Sequence, residues 1–297
     1  MTDASLLCLG NLTIDDLVLD GRTTTALGGD ALFAALAARR TLADVRMLAP
    51  VGTDLPAGLL DTVTGLGITV EPSRPRDVPT VRNRVEYAPD GSRTWHLVHG
   101  EEAFDALSVH PEDVAPSALT ADAVLVSAMS LNAQLTLGPW LRTATGATIL
   151  LDLQEDYVAG NEPELLALLA TCDVFLPSEV EAVALAGTAD LERAAARFLA
   201  AGPAVVVVKT AERGCLVATA AGTQLVATEA VAPVDPTGAG DAFCGGFAAA
   251  HVAGADPVEA ARAGAAAARV AIGGYGVAGL LADLGADAGT APVGGVR

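Results

Sequence analysis

DVFLPSEVEAVALAGTADLERAAARFLAAGPAVVVVKT, residues 173–210, is the stretch from which the fold is read. Its ends, DVFLP (173–177) and AVVVVKT (204–210), are apolar at nearly every position, the pattern of strands covered on both faces. Between them EVEAVALAG (179–187) and ADLERAAARFLAAG (189–202) carry helical patterns. Strand, helix and strand in this succession predict a βαβ unit and a parallel sheet. The alternation extends outward. LLCLG (6–10), VRMLAPVG (45–52), AVLVSA (123–128) and ATILLDL (147–153) read as further apolar strands, and ALFAALAARR (31–40) and PELLALLATC (163–172) as helices. The predicted class is α/β, a doubly wound, mostly parallel sheet flanked by helices.

Two segments break the pattern. VPTVRNRVEYAPDGSRTWHLV (78–98) alternates polar and apolar residues on either side of a Pro-Asp-Gly turn, which predicts a hairpin. LTIDDLVLDGRTTTALGG (12–29) reads as a short strand and turn after the first core strand. Together they suit a small projecting sheet acting as a lid, although a plain edge hairpin would show the same pattern. The chain, 1–297, is predicted to be a single domain with lid segments at about 12–27 and 78–100. No repeat of fixed period is visible, and from 283 the Gly/Ala-rich tail is expected to pack loosely.

Composition narrows the partners. Hydrophobic residues make up 52% of the chain and charged residues 18%, enough apolar surface to fold without metals or disulfides. A formal net charge of −19 argues against nucleic acid or an anionic membrane surface, both of which need clustered Lys and Arg. An anionic ligand would have to be held by local devices such as helix N-termini or a metal. Cys8, Cys172, Cys215 and Cys244 are far apart in apolar stretches, as buried free thiols in a reducing compartment would be. With no basic leader and no long uninterrupted apolar run, the expected location is the cytoplasm.

The chemistry concentrates in VDPTGAGDAFCGGFAAAHVAG (234–254). A strand-like approach through Pro236 and Thr237 is expected to lead to Gly238, Ala239 and Gly240, after which Asp241 opens a helix with Phe243 and Phe247 on one face. Small residues let backbone N–H groups converge on an anion, and the helix dipole adds positive potential there. Such a turn can take up the charge that develops on a transferred phosphoryl group, and a carboxylate beside it is placed to act as base toward a hydroxyl. A bare tight turn with a first-turn acid would look similar, but DPTGAGDAFCGGF is far more specific than GxGD.

This string resembles the C-terminal signature of the PfkB, or ribokinase-like, family of carbohydrate and nucleoside kinases. The resemblance, in the order of its elements, extends from about residue 5 to 280. It implies Asp241 as catalytic base, Gly238, Ala239 and Gly240 as anion hole, and ATP with Mg2+ as phosphoryl donor. Asn11 and Asp15 in GNLTID resemble the substrate strand, and Gly28-Gly29-Asp30 the Gly-Gly pair that lets substrate approach the backbone. Phe33 stands where asparagine is frequent, which puts a ribose or sugar-phosphate acceptor in doubt. LPSEVEA (176–182) resembles the NxxE element that places Mg2+ through water, with Glu181 matching and Ser178 in place of asparagine; local capping rules account for the same residues. KTAERGCLV (209–217) resembles a nucleotide-side turn, KxGxxG, with Ala211 for the middle glycine. It implies nucleotide contacts from Lys209, Thr210 and Gly214, with Thr237 opposite. Lys209 is the one lysine in the chain. A monovalent cation such as K+ is implied beside Asp235, Thr237 and the 273–276 loop.

Other motifs fail. No glycine stands beside Lys209, so there is no P-loop; HRD, DFG and GxSxG are absent; and GGYGVAG (273–279) follows an Ala-rich helix and reads as a loop. His96 and His99 lack neighbouring ligands for zinc. The expected activity is ATP-dependent phosphorylation of a hydroxyl on a sugar or polyol. A nucleoside acceptor stays open, with Phe33, Tyr87 or Trp95 as stacking surfaces. So does a weakly catalytic nucleotide or sugar sensor, which the departures at Phe33, Ser178 and Ala211 would suit. A homodimer through the lid is expected if the small sheet needs covering.

Overall fold

Along β1 (Ser5–Leu9) successive side chains leave the strand on opposite faces: Leu6 and Cys8 enter one apolar cluster, Leu7 and Leu9 another. A strand that feeds two cores has a helical layer on each side. The structure, a computed structural model, describes residues 3–19, 21–87 and 93–286. The expected Pro-Asp-Gly turn and the last eleven residues of the tail lie outside the described residues.

After β1 comes an antiparallel hairpin, β2 (Thr13–Leu19) and β3 (Arg22–Gly28), then α1 (Asp30–Arg39), β4 (Asp44–Leu48), α2 (Leu59–Gly65) and β5 (Ile68–Val70). A second antiparallel pair, β6 (Val81–Tyr87) and β7 (Arg93–Leu97), leads to α3 (Gly100–Ala106). The second half runs β8 (Ala123–Val126), α4 (Leu131–Ala144), β9 (Thr148–Leu151), α5 (Glu162–Leu168), β10 (Val174–Phe175), α6 (Glu179–Ala186), α7 (Leu191–Ala201) and β11 (Val205–Lys209). A hairpin, β12 (Cys215–Thr219) and β13 (Gly222–Val226), precedes α8 (Ala239–Val252), α9 (Pro257–Ala271) and α10 (Ala278–Asp283).

The main sheet has the order β13-β12-β11-β10-β9-β8-β1-β4-β5. From β11 to β5 every neighbouring pair is parallel, and β12 and β13 add an antiparallel edge. From β1 the chain moves outward to β4 and β5, whereas from β8 it moves the other way. The order therefore reverses between β1 and β8, and a crevice opens at the carboxyl ends of strands at such a point. One core lies under α1, α8 and α9, the other under α4, α5, α6 and α7. This is the doubly wound α/β class read from the sequence.

The two irregular segments form a separate four-stranded sheet, β3-β2-β6-β7, with β2 parallel to β6. Residues 12–29 make a full hairpin rather than a strand and turn. The 234–237 approach is irregular backbone rather than a strand, and α8 begins at Ala239, which places Asp241 at its third position. The 273–279 segment is a turn that ends in the start of α10. Among the described residues no helix is long and apolar enough to cross a membrane.

Candidate active site

Gly245 lies on the face of α8 turned toward α1. A Cβ there would stand 2.1 Å from the backbone oxygen of Ala34, so only glycine permits the approach. The close crossing brings the N-termini of α1 and α8 together. Both helices start at a glycine N-cap with no side-chain cap, Gly29 before α1 and Gly238 before α8. The first ladder bond of α8 runs from the Ala242 N–H to the Gly238 carbonyl at 2.9 Å, so the amides of Gly240 and Asp241 precede the ladder. An uncapped helix start of this kind suits an anion such as a phosphate.

The N-terminus of α8 opens into a cleft of about 550 Å³ between the small sheet and the main one. Asn11, Asp15, Gly29, Asp30, Phe33, Thr237, Gly238, Ala239, Gly240 and Asp241, all singled out from the sequence, line it. Val81, Asn83, Trp95 and Leu97 of the small sheet, with Glu101 and Phe104 of α3, close it from the other side. Gln154, Glu155 and Asp156 stand at the carboxyl end of β9.

Each acid in the cleft has a distinct setting. Asp15, 2% exposed, accepts from Asn83 Nδ2 at 2.8 Å and from the Thr13 hydroxyl at 3.1 Å, and burial pushes its carboxyl up to about 6. Asp30 accepts at one oxygen from the backbone N–H groups of Asn11 and Ala31, both at 2.5 Å. Burial and the neighbouring Asp241 charge hold Asp30 well above the usual carboxylate range. Asp241 is half-buried, and burial, then the charge of Asp152, raises it to about 6 while the Lys209 ammonium opposes the rise. A carboxylate so placed is largely ionised near neutrality yet basic enough to take a proton. Asn11 Nδ2 donates to the Leu107 carbonyl at 2.6 Å, which fixes the amide; its Oδ1 is buried with no protein donor.

The other expected residues are not among those that line the cleft. Gly28 backs Asp15: a Cβ on it would meet Asp15 Oδ2 at 2.3 Å. Lys209, expected on the nucleotide side, directs its ammonium beneath the α8 turn, 2.7 Å from each oxygen of Asp152. Thr210 and Gly214 close a turn through the Thr210 N–H to the Gly214 carbonyl at 2.9 Å. Glu181, 7% exposed, reaches back to the Ser178 N–H at 2.7 Å in a capping box, and burial raises it to about 7. Asp235, 1% exposed, accepts from the Tyr87 hydroxyl (2.7 Å), the Thr237 N–H (3.0 Å) and the Gly276 N–H (3.2 Å), tying the small sheet to the loop before α8. Among the described residues no group of three or more His, Cys, Asp or Glu is arranged to hold a metal. A Mg2+ ion would then be held mostly by phosphate and water, the usual habit of that ion.

Of the stacking surfaces named from the sequence, Phe33 lines the cleft but is 1% exposed with its ring packed against Gly238, and Tyr87 lines a second cavity beside Leu17 and Tyr275 while its hydroxyl holds Asp235. Trp95 does line the main cleft and is 44% exposed. Asn83 and Asp152 went unread. Asn83 lies between Val81 and Val85 on one face of an alternating strand, and Asp152 follows an apolar strand at its carboxyl end. Both are positions where a polar residue signals a site.

The profile of the pfkB family carbohydrate kinases matches residues 1–283. A cytidine kinase from Thermococcus kodakarensis is 28% identical over 271 residues, covering 87% of this chain and 92% of that protein. Among solved structures, adenosine kinase from Sinorhizobium meliloti superposes with a TM-score of 0.76 at 23% identity, covering 93% of this chain and 96% of that one. Ribokinase from Thermotoga maritima gives 0.72 at 22%, covering 95% and 99%.

Proposed function

The chain belongs to the pfkB family of carbohydrate kinases, phosphotransferases that act on hydroxyl groups with ATP and usually Mg2+, and on that premise we propose that Asp241 is its general base toward a neutral sugar or polyol. The observation that carries the reading is the placement of Asp241 at the third position of an uncapped helix whose start opens into the cleft. There the carboxylate takes the hydroxyl proton as the oxygen attacks the terminal phosphorus of ATP. The amides of Gly240 and Asp241, ahead of the helix ladder, face the charge that grows on the phosphoryl oxygens. Asp15 and Asn11 grip other hydroxyls of the acceptor; the Asn11 Oδ1 is an acceptor in want of a donor. The side chains lining the cleft include Asp15, Asp30, Glu101, Glu155, Asp156 and Asp241, but no Lys, Arg or His among the described residues, so an acceptor that already carries phosphate would be repelled.

A second reading, a nucleoside acceptor, is favoured by one observation. Trp95, with Val81, Leu97 and Phe104, gives the lid side of the cleft an apolar face suited to a base, and the matched relative from Thermococcus kodakarensis is a cytidine kinase.

The test is ATP turnover against a panel of sugars, polyols and nucleosides, read by the position of the phosphate in the product. Asp241→Asn should bind ATP and acceptor and lose about 10²–10⁴-fold in kcat. Near-parental turnover by that variant overturns the assignment of the base.

A further inference from the structure

Lys209 is the one lysine of the chain, and it is placed where local rules would forbid it. It ends β11, its side chain 13% exposed, with Nζ 3.7 Å from the point to which a Cβ on Gly240 would project. A cation at the start of a helix opposes the helix dipole. The placement is held by Asp152, whose two oxygens accept from Nζ at 2.7 Å, and by Cys244 of α8, 3.4 Å from Nζ and 3.2 Å from Asp152 Oδ2. Stability alone does not account for such a cluster, because a buried ion pair gives little net stability over a packed apolar pair. Among the described residues the other charged groups that bear most on Asp241 are acidic: Asp15 from β2, Asp30 from α1 and Asp152 after β9. Glu181, from α6, faces the same lysine.

We propose that Lys209 is a positioning residue acting through Asp241, a fixed positive charge that keeps the Asp241 carboxylate anionic and the α8 turn attractive to phosphate, with Asp152 holding that charge in place. The proposal rests on Asp241 being the base. Lys209 touches neither acceptor nor the transferred group. It offsets the three acids around Asp241, which would otherwise retain a proton on that carboxyl at the pH where a base is needed. A compact ammonium suits the space between β11 and α8, where a planar guanidinium would need room for its fork.

The test uses the full chain without ATP or acceptor: carboxyl ¹³C titration of Asp241, its signal identified by its loss in Asp241→Asn, in the parent, Lys209→Met, Asp152→Asn and the double variant. An opposite charge within about 4–6 Å moves a carboxyl by about 1–3 pH units. Lys209→Met should raise the Asp241 midpoint by that amount, Asp152→Asn should lower it, and the double variant should fall between them. Should Lys209→Met alone fail to fold, Asp152→Asn and the double variant differ only by the lysine, and the midpoint must be higher in the double. Midpoints that coincide in all folded variants overturn the proposal and leave the pair a packing device. Because no acceptor is used, that outcome is distinct from failure of the kinase reading, which shows as parental turnover in Asp241→Asn.

Discussion

The ring of Phe33 lies directly against Gly238: a Cβ on Gly238 would stand 2.3 Å from the ring Cζ and 2.4 Å from both Cε atoms. The turn proposed to receive the phosphoryl charge therefore rests on an aromatic floor, and the backbone of Gly238, at φ 74°, is in the left-handed region. Gly238→Ala meets two obstacles, a disfavoured conformation and a ring that is 1% exposed and has nowhere to go. It should lose about 10²–10³-fold in kcat, the cost of displacing anion-hole donors, and melt at lower temperature. Pairing it with Phe33→Ala should recover the melting temperature in part but not the rate. Full recovery of kcat in the pair would show that the clash alone, and not the turn, mattered.

Phe33 also shows where the sequence stops being legible. The parallel strands were readable because burial on both faces writes continuous apolar runs, as in Val205 to Val208, which feed the two cores alternately. The turn at 238–241 was readable because few sequences need glycine, a small residue and an acid in that order. The partner of a glycine is not written in its neighbourhood. That Phe33 packs under Gly238, that Asp152 pairs with Lys209 and that Tyr87 holds Asp235 are contacts across 57 to 205 positions, set by the tertiary fold. A local limit hid α4, which has a proline inside it, whereas the alanine-rich run of α9 was legible as a helix without fixed bounds.

Stability should rise as pH falls toward 5. Asp15 and Asp241 are raised to about 6 and Glu181 to about 7, from ordinary values of 3.8 and 4.5. Between about pH 4 and 7 the folded chain thus binds more protons than the unfolded one, so these groups oppose folding more strongly as pH increases. Asp16, held low by Arg82, and Asp113, held low by the His110 N–H and then by Arg76 and Arg74, act the other way, and their contribution is lost only as pH falls below the ordinary range. Thermal melts of the ligand-free protein from pH 4 to 8 should show a maximum near 5. Asp15→Asn with Glu181→Gln should flatten the upper slope; an unchanged slope would assign it to the net charge of −19 instead.

Tyr87→Phe removes one of three donors to a carboxylate that is 1% exposed. Leaving a buried acceptor short of a partner costs about 1–3 kcal/mol. The loss falls on the junction between β6 of the small sheet and the loop that leads into α8. The variant should melt a few degrees lower, with faster amide exchange at Thr237 and Gly276, while β9 and β10 keep their parental protection. Exchange that quickens equally throughout the chain would mean general destabilisation and no specific tie between small sheet and loop.

Ala211→Gly should stabilise the protein, which is unusual for a substitution that adds backbone freedom. Ala211 has φ 50°, the one non-glycine with positive φ among the described residues. The turn it starts is locked from both sides: the Gly214 N–H donates to its carbonyl at 3.0 Å, and Gly214 cannot carry a Cβ, which would meet the Val226 carbonyl oxygen at 2.0 Å. The conformation is thus imposed by the β11–β12 connection and not chosen by alanine. A left-handed alanine costs roughly 1–2 kcal/mol through its Cβ. Glycine removes that cost but loses about 0.5–1 kcal/mol of unfolded-state entropy. The first effect is the larger, so a net gain of about 0.5–1 kcal/mol follows, to be read as a higher midpoint in urea with an unchanged slope. A lower midpoint would mean that the Ala211 methyl makes contacts worth more than its backbone strain. The gain should leave kcat untouched, because the residue lies outside the cleft and bears on it only through Lys209, two positions earlier.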